Sequence, residues 1–468
     1  MSDRPRPPSV ERLLAAVRPG VAEGVASESV AAAARTVIAE ERARLEAGEP
    51  ATALDALAAS ANARLAAFAD PAGAGSGLTP VLNATGVVLH TNLGRAPWPR
   101  VAIEAATQAA AGYSLLELER DGGRRGARFR AAEDHLIALT GADDALVTVN
   151  NAAAVALVVG LAGKHGVAVS RGELVEIGGG VRIPEIIRRA GARLIEVGTT
   201  NRTRAADFAA PLADGRATVV LRVHPSNFAQ TGFVEAPDAI ELARLAHAHG
   251  AIVVDDVGSG ALLETAAFGL AHEPTPRERL AAGADLVTFS GDKLVGGPQA
   301  GLIVGRADLI ARIRKDPLAR AVRPEKVTLA ALAATLGLYR AGRAVTDIPV
   351  WRMIAATPEE LGRRADAVLA GAPAAIRARI FVSEMASAIG GGSLPGETLE
   401  SAGLVVTGRG ADALARRLRT GEPAVVARVQ DGAVLLDLRT IDPSDDAVLG
   451  AALARALAPG GRQAAGER

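Results

Sequence analysis

The chain contains no cysteine, and this absence excludes several kinds of chemistry. Without a thiol, the protein forms no disulfide, binds no metal through thiolates and uses no cysteine nucleophile. Histidine is also scarce, with 7 residues, and none of them shows a spacing typical of a metal site. We therefore expect no bound metal.

Aromatic residues, excess charge and long apolar runs are missing as well. Aromatic residues make up 3% of the chain, and 52 basic residues balance 52 acidic ones. The balanced charge gives no sign of nucleic-acid binding by the chain as a whole, although local basic patches stay possible. No apolar run reaches the length of a membrane span, and the start, Met1–Pro5, does not resemble a signal peptide. We expect a cytoplasmic protein.

What the chain does contain is typical of a folded protein with a large core. Hydrophobic residues make up 49% and charged residues 22% of its 468 residues, a length that favours two or three domains. Changes of pattern predict a helical N-terminal domain (1–70), a glycine- and proline-rich linker (71–80), a large α/β domain (81–330), a small α/β domain (331–458) and a disordered tail (459–468). The N-terminal helices are either a packing or dimerisation element or a dock for a macromolecular substrate.

Apolar runs alternate with helical patterns through the large domain. We predict strands at 144–149, 166–170, 193–198, 217–224, 251–256, 285–290 and 300–305. This alternation indicates a mostly parallel sheet with helices on both faces. Ligands bind such sheets at the carboxyl ends of the strands, where polar residues cluster in this sequence. Further on, Asp431-Gly432 between two apolar runs predicts a β-hairpin.

Lys293 follows the apolar run Leu286–Phe289 and precedes a Gly-Gly-Pro sequence. A lysine just beyond a buried strand lies near a cleft, where desolvation favours its free amine. A free amine is what a Schiff base with an aldehyde cofactor requires. The alternative is an ordinary lysine in a surface loop. The upstream strand-end residues Asp255 and Asp256 favour the first interpretation, because pyridoxal phosphate needs an acidic partner for its ring nitrogen; a helix N-cap or a metal ligand is the alternative there.

Other strand ends carry candidates for binding a phosphate and the cofactor. Asn150, Asn151 and Ala152 lead from a strand into a helix of small residues, whose open N–H groups suit an anion. The alternative is an asparagine N-cap without a ligand. His224 and Asn227 follow another strand, and we predict that both contact the cofactor. His224 also fits a buried core histidine whose ring is satisfied by its neighbours.

Arginine is the other recurring residue. Arg95 lies in the irregular segment that opens the large domain, and Arg320 and Arg323 lie together further along the chain. The rigid forks of clustered arginines suit an oxyanion such as a phosphate. The alternative is a set of salt bridges on a solvated helix.

Seven strings in the sequence are too specific for a general glycine pattern. They are LNATGVVLHTNLGRAP, GARFRAAEDHL, VNNAAA, SRGELVEIGGGVRIPEI, IEVGTTNRT, LVTFSGDKLVGGPQAGLIVG and IGGGSLPG. Together they resemble the bacterial selenocysteine synthases, the L-seryl-tRNA(Sec) selenium transferases, over nearly the whole chain. Three positions depart from that family: Val257 stands where leucine is usual, Leu115 stands where asparagine is common, and Phe129 stands where tyrosine is common.

The resemblance implies an α/β fold of the aspartate aminotransferase type (fold type I) with pyridoxal 5'-phosphate as cofactor. In that family Lys293 matches the Schiff-base lysine, and Asp256 matches the partner of the ring nitrogen better than Asp255 does. Asp292, beside the lysine, matches a residue important for catalysis.

The resemblance also implies the substrates and the assembly. The enzyme would convert L-seryl-tRNA(Sec) to L-selenocysteinyl-tRNA(Sec) with selenophosphate, through an aminoacrylyl-tRNA intermediate. Arg95, Arg320 and Arg323 would hold the phosphate of the selenium donor, and the N-terminal domain would dock the tRNA. Family members form a homodecamer, a pentamer of dimers, with active sites between subunits.

Two other enzyme classes share this fold. A cysteine desulfurase carries sulfur as a cysteine persulfide, and the absence of cysteine excludes it. The main alternative is a fold type I lyase or transferase that acts on a free amino acid. Such an enzyme would need no N-terminal helical domain and would not bind tRNA.

Overall fold

The computed structural model describes residues 6–17, 25–69, 77–126, 129–177, 180–225, 228 and 230–458. Most of the predicted linker, the predicted tail and Asn227 lie outside these residues. Contacts divide the chain into two compact units: Met1–Leu82 with Arg417–Val425 and Ala452–Arg468, and Asn83–Arg416 with Val426–Ala451. Within the described ranges, no helix combines the length and the apolar character needed to cross a membrane.

The described residues form α-helices of 4 to 20 residues. In chain order they are α1 (Val10–Val17), α2 (Ser27–Glu46), α3 (Leu54–Ala69), α4 (Arg100–Ala111), α5 (Ala131–Thr140), α6 (Asn151–Gly160), α7 (Ile183–Arg189), α8 (Ala209–Ala213), α9 (Ala239–Ala248), α10 (Pro276–Ala281), α11 (Ala307–Lys315), α12 (Pro317–Ala321), α13 (Lys326–Arg340), α14 (Ala344–Asp347), α15 (Pro349–Ala355), α16 (Pro358–Gly371), α17 (Ala374–Arg377), α18 (Ala411–Arg419) and α19 (Asp446–Leu457). Short 3₁₀ turns join several of them.

The strands fall into two large sheets and one small hairpin. In chain order they are β1 (Val81–Ala84), β2 (Val87–Leu89), β3 (Asp144–Thr148), β4 (Gly166–Ser170), β5 (Glu176–Ile177), β6 (Val181–Arg182), β7 (Arg193–Val197), β8 (Ala217–Val223), β9 (Ile252–Gly258), β10 (Leu286–Ser290), β11 (Gly301–Gly305), β12 (Ile380–Gly390), β13 (Thr398–Val406), β14 (Ala424–Gln430) and β15 (Ala433–Asp437). The hairpin pairs β5 with β6.

The helices α1, α2 and α3 bury an apolar core of their own. Leu13 and Val17 of α1 pack with Ala34, Val37 and further residues of α2 and α3, at the spacing of one helical face. The connection between α2 and α3 is held by the carboxylate of Glu41, which is 2% exposed. The carboxylate accepts hydrogen bonds from the backbone N–H and the side-chain hydroxyl of Thr52, each at 2.7 Å.

The seven-stranded sheet contains all seven strands that the sequence predicts. Its order is β3-β11-β10-β9-β8-β4-β7. Only β11 runs antiparallel to its neighbours in this sheet, and the other pairs are parallel. The prediction of a mostly parallel sheet is therefore confirmed.

Alternate residues of these strands pack against helices on opposite faces of the sheet. On β11, Ile303 joins a cluster with α6, α7 and α11, whereas Leu302 and Val304 join a cluster with α5 and α13. Because both faces are covered, every residue of β10 and β11 is buried. The polar groups that the sheet presents for chemistry therefore lie at the strand ends.

The six-stranded sheet has the order β1-β14-β15-β13-β12-β2. The predicted hairpin is confirmed: β14 and β15 are antiparallel, with Asp431 (φ 52°) and Gly432 (φ 74°) in the left-handed region that a tight hairpin turn requires. The short strand β2, at the edge of this sheet, pairs in parallel with the end of β12, with Val87 opposite Ala388 and Leu89 opposite Gly390.

Candidate active site

Lys293 lies in the turn that follows β10 and is 5% exposed. The backbone N–H of Leu294 donates to the carbonyl of Ser259 (3.0 Å), which fixes this turn against the segment after β9. The Nζ of Lys293 donates to the carbonyl of Gly392 (3.3 Å), after β12. Three segments far apart in sequence therefore meet at this lysine.

Burial lowers the pKa of Lys293, and the positive charge of Arg95 lowers it further. The negative charges of Asp256, Asp292 and Glu273 act in the opposite direction. Because desolvation is the largest of these effects, the pKa of Lys293 is lowered overall, which shifts its equilibrium toward the neutral amine. Of the four lysines in the chain, this is the one that is buried.

Asp256 lies near the end of β9 and is 3% exposed. Its Oδ1 accepts hydrogen bonds from Asn151 Nδ2 (2.8 Å) and Thr288 Oγ1 (3.0 Å). Burial raises the pKa of Asp256, while these hydrogen bonds and the nearby Lys293 lower it. The protonated ring nitrogen of pyridoxal phosphate, placed beside this carboxylate, would supply a positive charge that offsets the cost of burying the negative one.

Asp255 points away from this site, because successive side chains of a strand face opposite sides of the sheet. Its carboxylate lies 3.6 Å from Arg222 Nη1 and 3.4 Å from Arg279 Nε. The structure therefore distinguishes the two neighbouring carboxylates: Asp256 lies on the side of Lys293, and Asp255 belongs to a separate buried charge cluster.

The start of α6 lies next to Asp256. Asn150 is the N-cap of the helix, and its Oδ1 accepts a hydrogen bond from the backbone N–H of Ala153 (2.9 Å). The N-cap expected under the alternative interpretation is thus present. The first N–H groups of a helix lack intrahelical partners, so those of Asn151 and Ala152 stay available to an anion at this terminus.

His224 follows β8 directly and contacts the same region. Its backbone N–H donates to the carbonyl of Asp256 (2.9 Å), and its Nε2 lies 3.5 Å from Glu273 Oε1. Glu273 is buried, at 3% exposure. The predicted cofactor contact Asn227 lies outside the described residues.

Arg95 and Asp292 form an ion pair beside Lys293, with 2.8 Å between Arg95 Nη1 and Asp292 Oδ2. Asp292 is 8% exposed. Arg95 adopts a left-handed backbone conformation (φ 62°), which is unfavourable for a residue with a side chain. The ion pair and a hydrogen bond from the Arg95 N–H to His90 O (3.1 Å) hold it there.

Arg320 and Arg323 line a cavity of about 370 Å³ together with Glu117, Arg125 and Pro324. Within the part of the chain that the structure describes, neither Lys293 nor Arg95 lines this cavity. Within a single chain, Arg320 and Arg323 therefore lie together at this cavity, whereas Arg95 lies beside Lys293.

The residues around Lys293 fit pyridoxal phosphate. Three buried polar atoms there, Asn151 Oδ1, Ser259 Oγ and Ser393 Oγ, have no hydrogen-bond partner among the described residues. Buried polar atoms are costly unless they are paired, so a polar ligand that reaches them is expected. Gly392 (φ 89°) passes so close to Lys293 Nζ that a Cβ at this position would collide with it. The site thus offers an amine, a buried carboxylate and a helix N-terminus.

Sequence reasoning missed three members of this site: Thr288, Glu273 and Gly392. Thr288 could have been found, because it lies two residues before the end of β10 and shares a face with the strand-end residues. Gly392 belongs to a string that carries the family resemblance. Nothing in the local pattern around Glu273 marks it.

A surface group also has the composition of a metal site. Ligand atoms of Glu264, His272 and Glu278 lie within 4.8 Å of one another, and all three residues are exposed. The hydrogen bond that His272 Nδ1 donates to the Glu264 carboxylate raises the pKa of His272, so the group is explained as an ion-pair cluster on the surface.

Comparisons with known proteins agree with the motifs. The family model for L-seryl-tRNA selenium transferase matches residues 81–442. The L-seryl-tRNA(Sec) selenium transferase of Moorella thermoacetica is 46% identical over 388 residues, which cover 82% of each chain. That of Rhizobium meliloti is 46% identical over 385 residues, covering 80% of this chain and 81% of the relative. That of Solidesulfovibrio magneticus is 48% identical over 387 residues, covering 81% and 82%.

A solved structure shares the fold. The structure of D-glucosaminate-6-phosphate ammonia-lyase aligns with a TM-score of 0.58 and 22% identity, covering 82% of this chain and 96% of that one. Together with the family match, this likeness confirms the predicted α/β fold of the aspartate aminotransferase type. On the evidence of its sequence motifs, its fold and its relatives, the chain belongs to the L-seryl-tRNA selenium transferase family.

Proposed function

We propose that this chain is a pyridoxal-phosphate-dependent enzyme that converts L-seryl-tRNA(Sec) to L-selenocysteinyl-tRNA(Sec), with selenophosphate as the selenium donor. The proposal rests above all on one observation: a buried lysine, Lys293, lies beside the buried carboxylate of Asp256 in a member of this family. Membership of the family implies pyridoxal phosphate as the cofactor.

Pyridoxal phosphate supplies, when bound, an electron sink that makes the α proton of an amino acid acidic. Lys293 holds its aldehyde carbon and later accepts the α proton of the seryl group at Nζ, since burial favours the neutral amine. Asp256 holds the proton of the ring nitrogen. Asp292 orients Arg95 through their ion pair and adds negative charge beside Lys293.

The remaining predicted contacts hold the cofactor in place. Asn150, Asn151 and Ala152, at the start of α6, bind the phosphate through backbone N–H groups. His224 and Asn227 contact the ring. The link from His224 to Asp256 through a backbone hydrogen bond of 2.9 Å supports this assignment for His224.

The second substrate binds through arginine. The seryl hydroxyl leaves as water, and the selenium of selenophosphate then bonds to the β carbon while the α carbon regains a proton. Water cleaves the selenium–phosphorus bond and phosphate is released. Arg95, Arg320 and Arg323 bind the phosphate group of the donor. In a single chain Arg320 and Arg323 line a different cavity from the residues around Lys293. An active site shared between subunits, as the family resemblance implies, accommodates this separation.

The same resemblance supports the larger organisation. The N-terminal helices α1, α2 and α3, which have their own core, dock the tRNA. The chain assembles as a homodecamer, a pentamer of dimers, and works in the cytoplasm.

A transfer assay tests the function. Purified holoenzyme is incubated with seryl-tRNA(Sec) and selenium-labelled selenophosphate, with each substrate omitted in turn, and with free serine in place of the charged tRNA. We expect label on the tRNA only when both substrates are present. Labelled free amino acid formed from serine, with no label on the tRNA, would instead establish the alternative activity on a free amino acid.

A further inference from the structure

Two further charged side chains, which the sequence analysis did not identify, line the cavity that contains Arg320 and Arg323. Glu117 and Arg125 line it as well, and its volume is about 370 Å³. This space exceeds what a single phosphate group needs, so the arrangement of charges decides what binds there.

Glu117 connects two of the arginines. Its Oε1 accepts a hydrogen bond from Arg323 Nη1 (3.1 Å), and its Oε2 accepts one from Arg125 Nη2 (2.9 Å). Each carboxylate oxygen therefore holds a different guanidinium group. Glu117 is the less exposed partner, with 26% of its side chain exposed against 37% for Arg323 and 78% for Arg125.

The backbones on both sides of this carboxylate are also fixed. Leu118 and Arg125 form an antiparallel bridge, and the N–H of Gly126 donates to the carbonyl of Glu117 (3.1 Å). On the other side, the N–H of Val149 donates to the carbonyl of Val322 (2.9 Å). The arginines thus extend from anchored segments.

The charges match a particular class of ligand. Three guanidinium groups and one carboxylate line the cavity, which leaves two net positive charges. A phosphate-type dianion carries the complementary charge, and the arginine fork matches its oxygens. A neutral substrate would leave that charge uncompensated.

We propose that Arg125 is a further anion-binding residue of this cavity and that Glu117 is a positioning residue that orients Arg125 and Arg323 toward a tetrahedral dianion. The inference rests on the proposed function, in which Arg320 and Arg323 bind the selenium donor. It adds a fourth arginine to that donor site and a carboxylate that sets the site's charge and shape.

A phosphate-type dianion has two sources here: the selenium donor and the cofactor's own phosphate. The hydrogen bond from Val149 ties the cavity to the residue before Asn150, where the cofactor phosphate is proposed to bind. Experiments on the holoenzyme separate the two, because the cofactor's phosphate is then already bound.

Orthophosphate, titrated into the holoenzyme in a calorimeter, is the probe for Arg125. Arg125→Gln should weaken its binding about tenfold, because a charge-assisted hydrogen bond is lost. Arg323→Gln should weaken it by a similar factor. The control is Arg124→Gln, which removes the same charge from the neighbouring position that does not line the cavity, and it should leave binding within about twofold.

Equal losses in the Arg124 and Arg125 variants would overturn the proposal, because the effect would then be general electrostatic attraction. Unchanged phosphate binding with release of the cofactor from the Arg125 variant would overturn it too, since the cavity would then serve the cofactor. If the calorimetric pattern is as expected but no selenium reaches tRNA, the anion site stands and the proposed function fails.

Glu117 is tested through steady-state kinetics with selenophosphate. Glu117→Gln should raise KM about tenfold and change kcat by less than about twofold, because it disturbs the donor's ligands and not the reacting groups. Glu117→Asp keeps the charge and should recover part of the loss. A fall in kcat with unchanged KM, or a lower melting temperature that Glu117→Asp does not restore, would contradict the positioning role.

Discussion

At the scale of single residues, burial determines which protonation states the protein holds. Lys293 and Asp256 are both buried and interact electrostatically, and desolvation lowers the pKa of the first and raises that of the second. Glu173 shows the same effect beside Asp255: burial raises its pKa to about 7, against the attraction of Arg222 and in line with the repulsion of Asp255. Its Oε2 has no hydrogen-bond partner within the described residues.

Glu173 makes the stability of the protein depend on pH in a defined direction. Its folded pKa of about 7 exceeds the ordinary value of 4.5, so between these values the folded chain binds more protons than the unfolded chain. Stability therefore falls as pH rises through this window. Glu173→Gln removes the titration and should be more stable than the parent above pH 7, by about 3 kcal/mol.

Urea unfolding curves at a series of pH values measure this difference. The control is Glu176→Gln, an exposed position three residues further along the chain, which should follow the parent at every pH. If the parent and Glu173→Gln have the same pH dependence, the carboxyl is not held protonated in the folded protein.

At the scale of elements, the sequence predicted what is local and missed what is distant. All seven strands of the large sheet were predicted, because the central ones, such as β4, β10 and β11, are fully buried apolar runs, and the edge strand β7 still has apolar residues at its centre. The hairpin at Asp431-Gly432 was predicted from its turn residues. The pairing of β2 with β12, which joins Val87 to Ala388, has no local signal, since the two residues lie far apart in the chain.

The same distinction applies to the site. Lys293 and Asp256 were predictable because each lies near the carboxyl end of a buried strand, and parallel neighbours bring those ends together. The contact of Lys293 with Gly392 and the contact of Glu117 with Arg323 join segments that no periodic pattern relates. These two contacts are therefore seen only in the folded structure.

Replacing glycine by alanine should change the stability of the protein in opposite directions at Gly301 and Gly337. On β11, a Cβ at Gly301 would overlap the carbonyl oxygen of Asn150, the N-cap of α6. Gly301→Ala should therefore destabilise the protein by about 1–3 kcal/mol and weaken cofactor binding. Gly337, within α13, has only His135 Nε2 nearby, at 3.9 Å, so Gly337→Ala should stabilise the protein by up to about 1 kcal/mol.

Thermal unfolding of both variants measures the change in stability. The cofactor absorbance that remains after dialysis measures how well each variant keeps its cofactor. A Gly301→Ala protein that is as stable as the parent and keeps its cofactor would show that the start of α6 is not held at that position.

At the scale of the whole molecule, exposed apolar residues gather near the arginine cavity in sequence. Three of them, Tyr113, Leu115 and Leu118, precede Arg125 in the chain, and the fourth, Leu318, precedes Arg320. All four side chains are about half exposed or more, from 49% for Leu118 to 108% for Tyr113. Large apolar side chains that are exposed at several nearby positions favour a contact with another protein surface. The proposed homo-oligomer supplies one, because a second copy of the chain would cover it.

Replacing Leu115 and Leu118 by aspartate should therefore reduce the molar mass measured by light scattering in solution and lower the transfer activity. The control is Ile240→Asp on α9, an apolar residue that is 63% exposed and lies on a different element, and it should leave the mass unchanged. An unchanged mass in the Leu115/Leu118 variant, with an intact fold, would show that these residues do not form the interface.

In the proposed enzyme Lys293 is the residue that carries the cofactor, and reduction with borohydride tests this role most directly. Treatment of the holoenzyme, followed by digestion and mass spectrometry, locates the lysine to which the cofactor becomes fixed. The chain has four lysines, at positions 164, 293, 315 and 326, so the assignment is unambiguous. We predict that the label lies on Lys293 and is absent from a Lys293→Ala protein; a label on any other lysine would contradict the site described above.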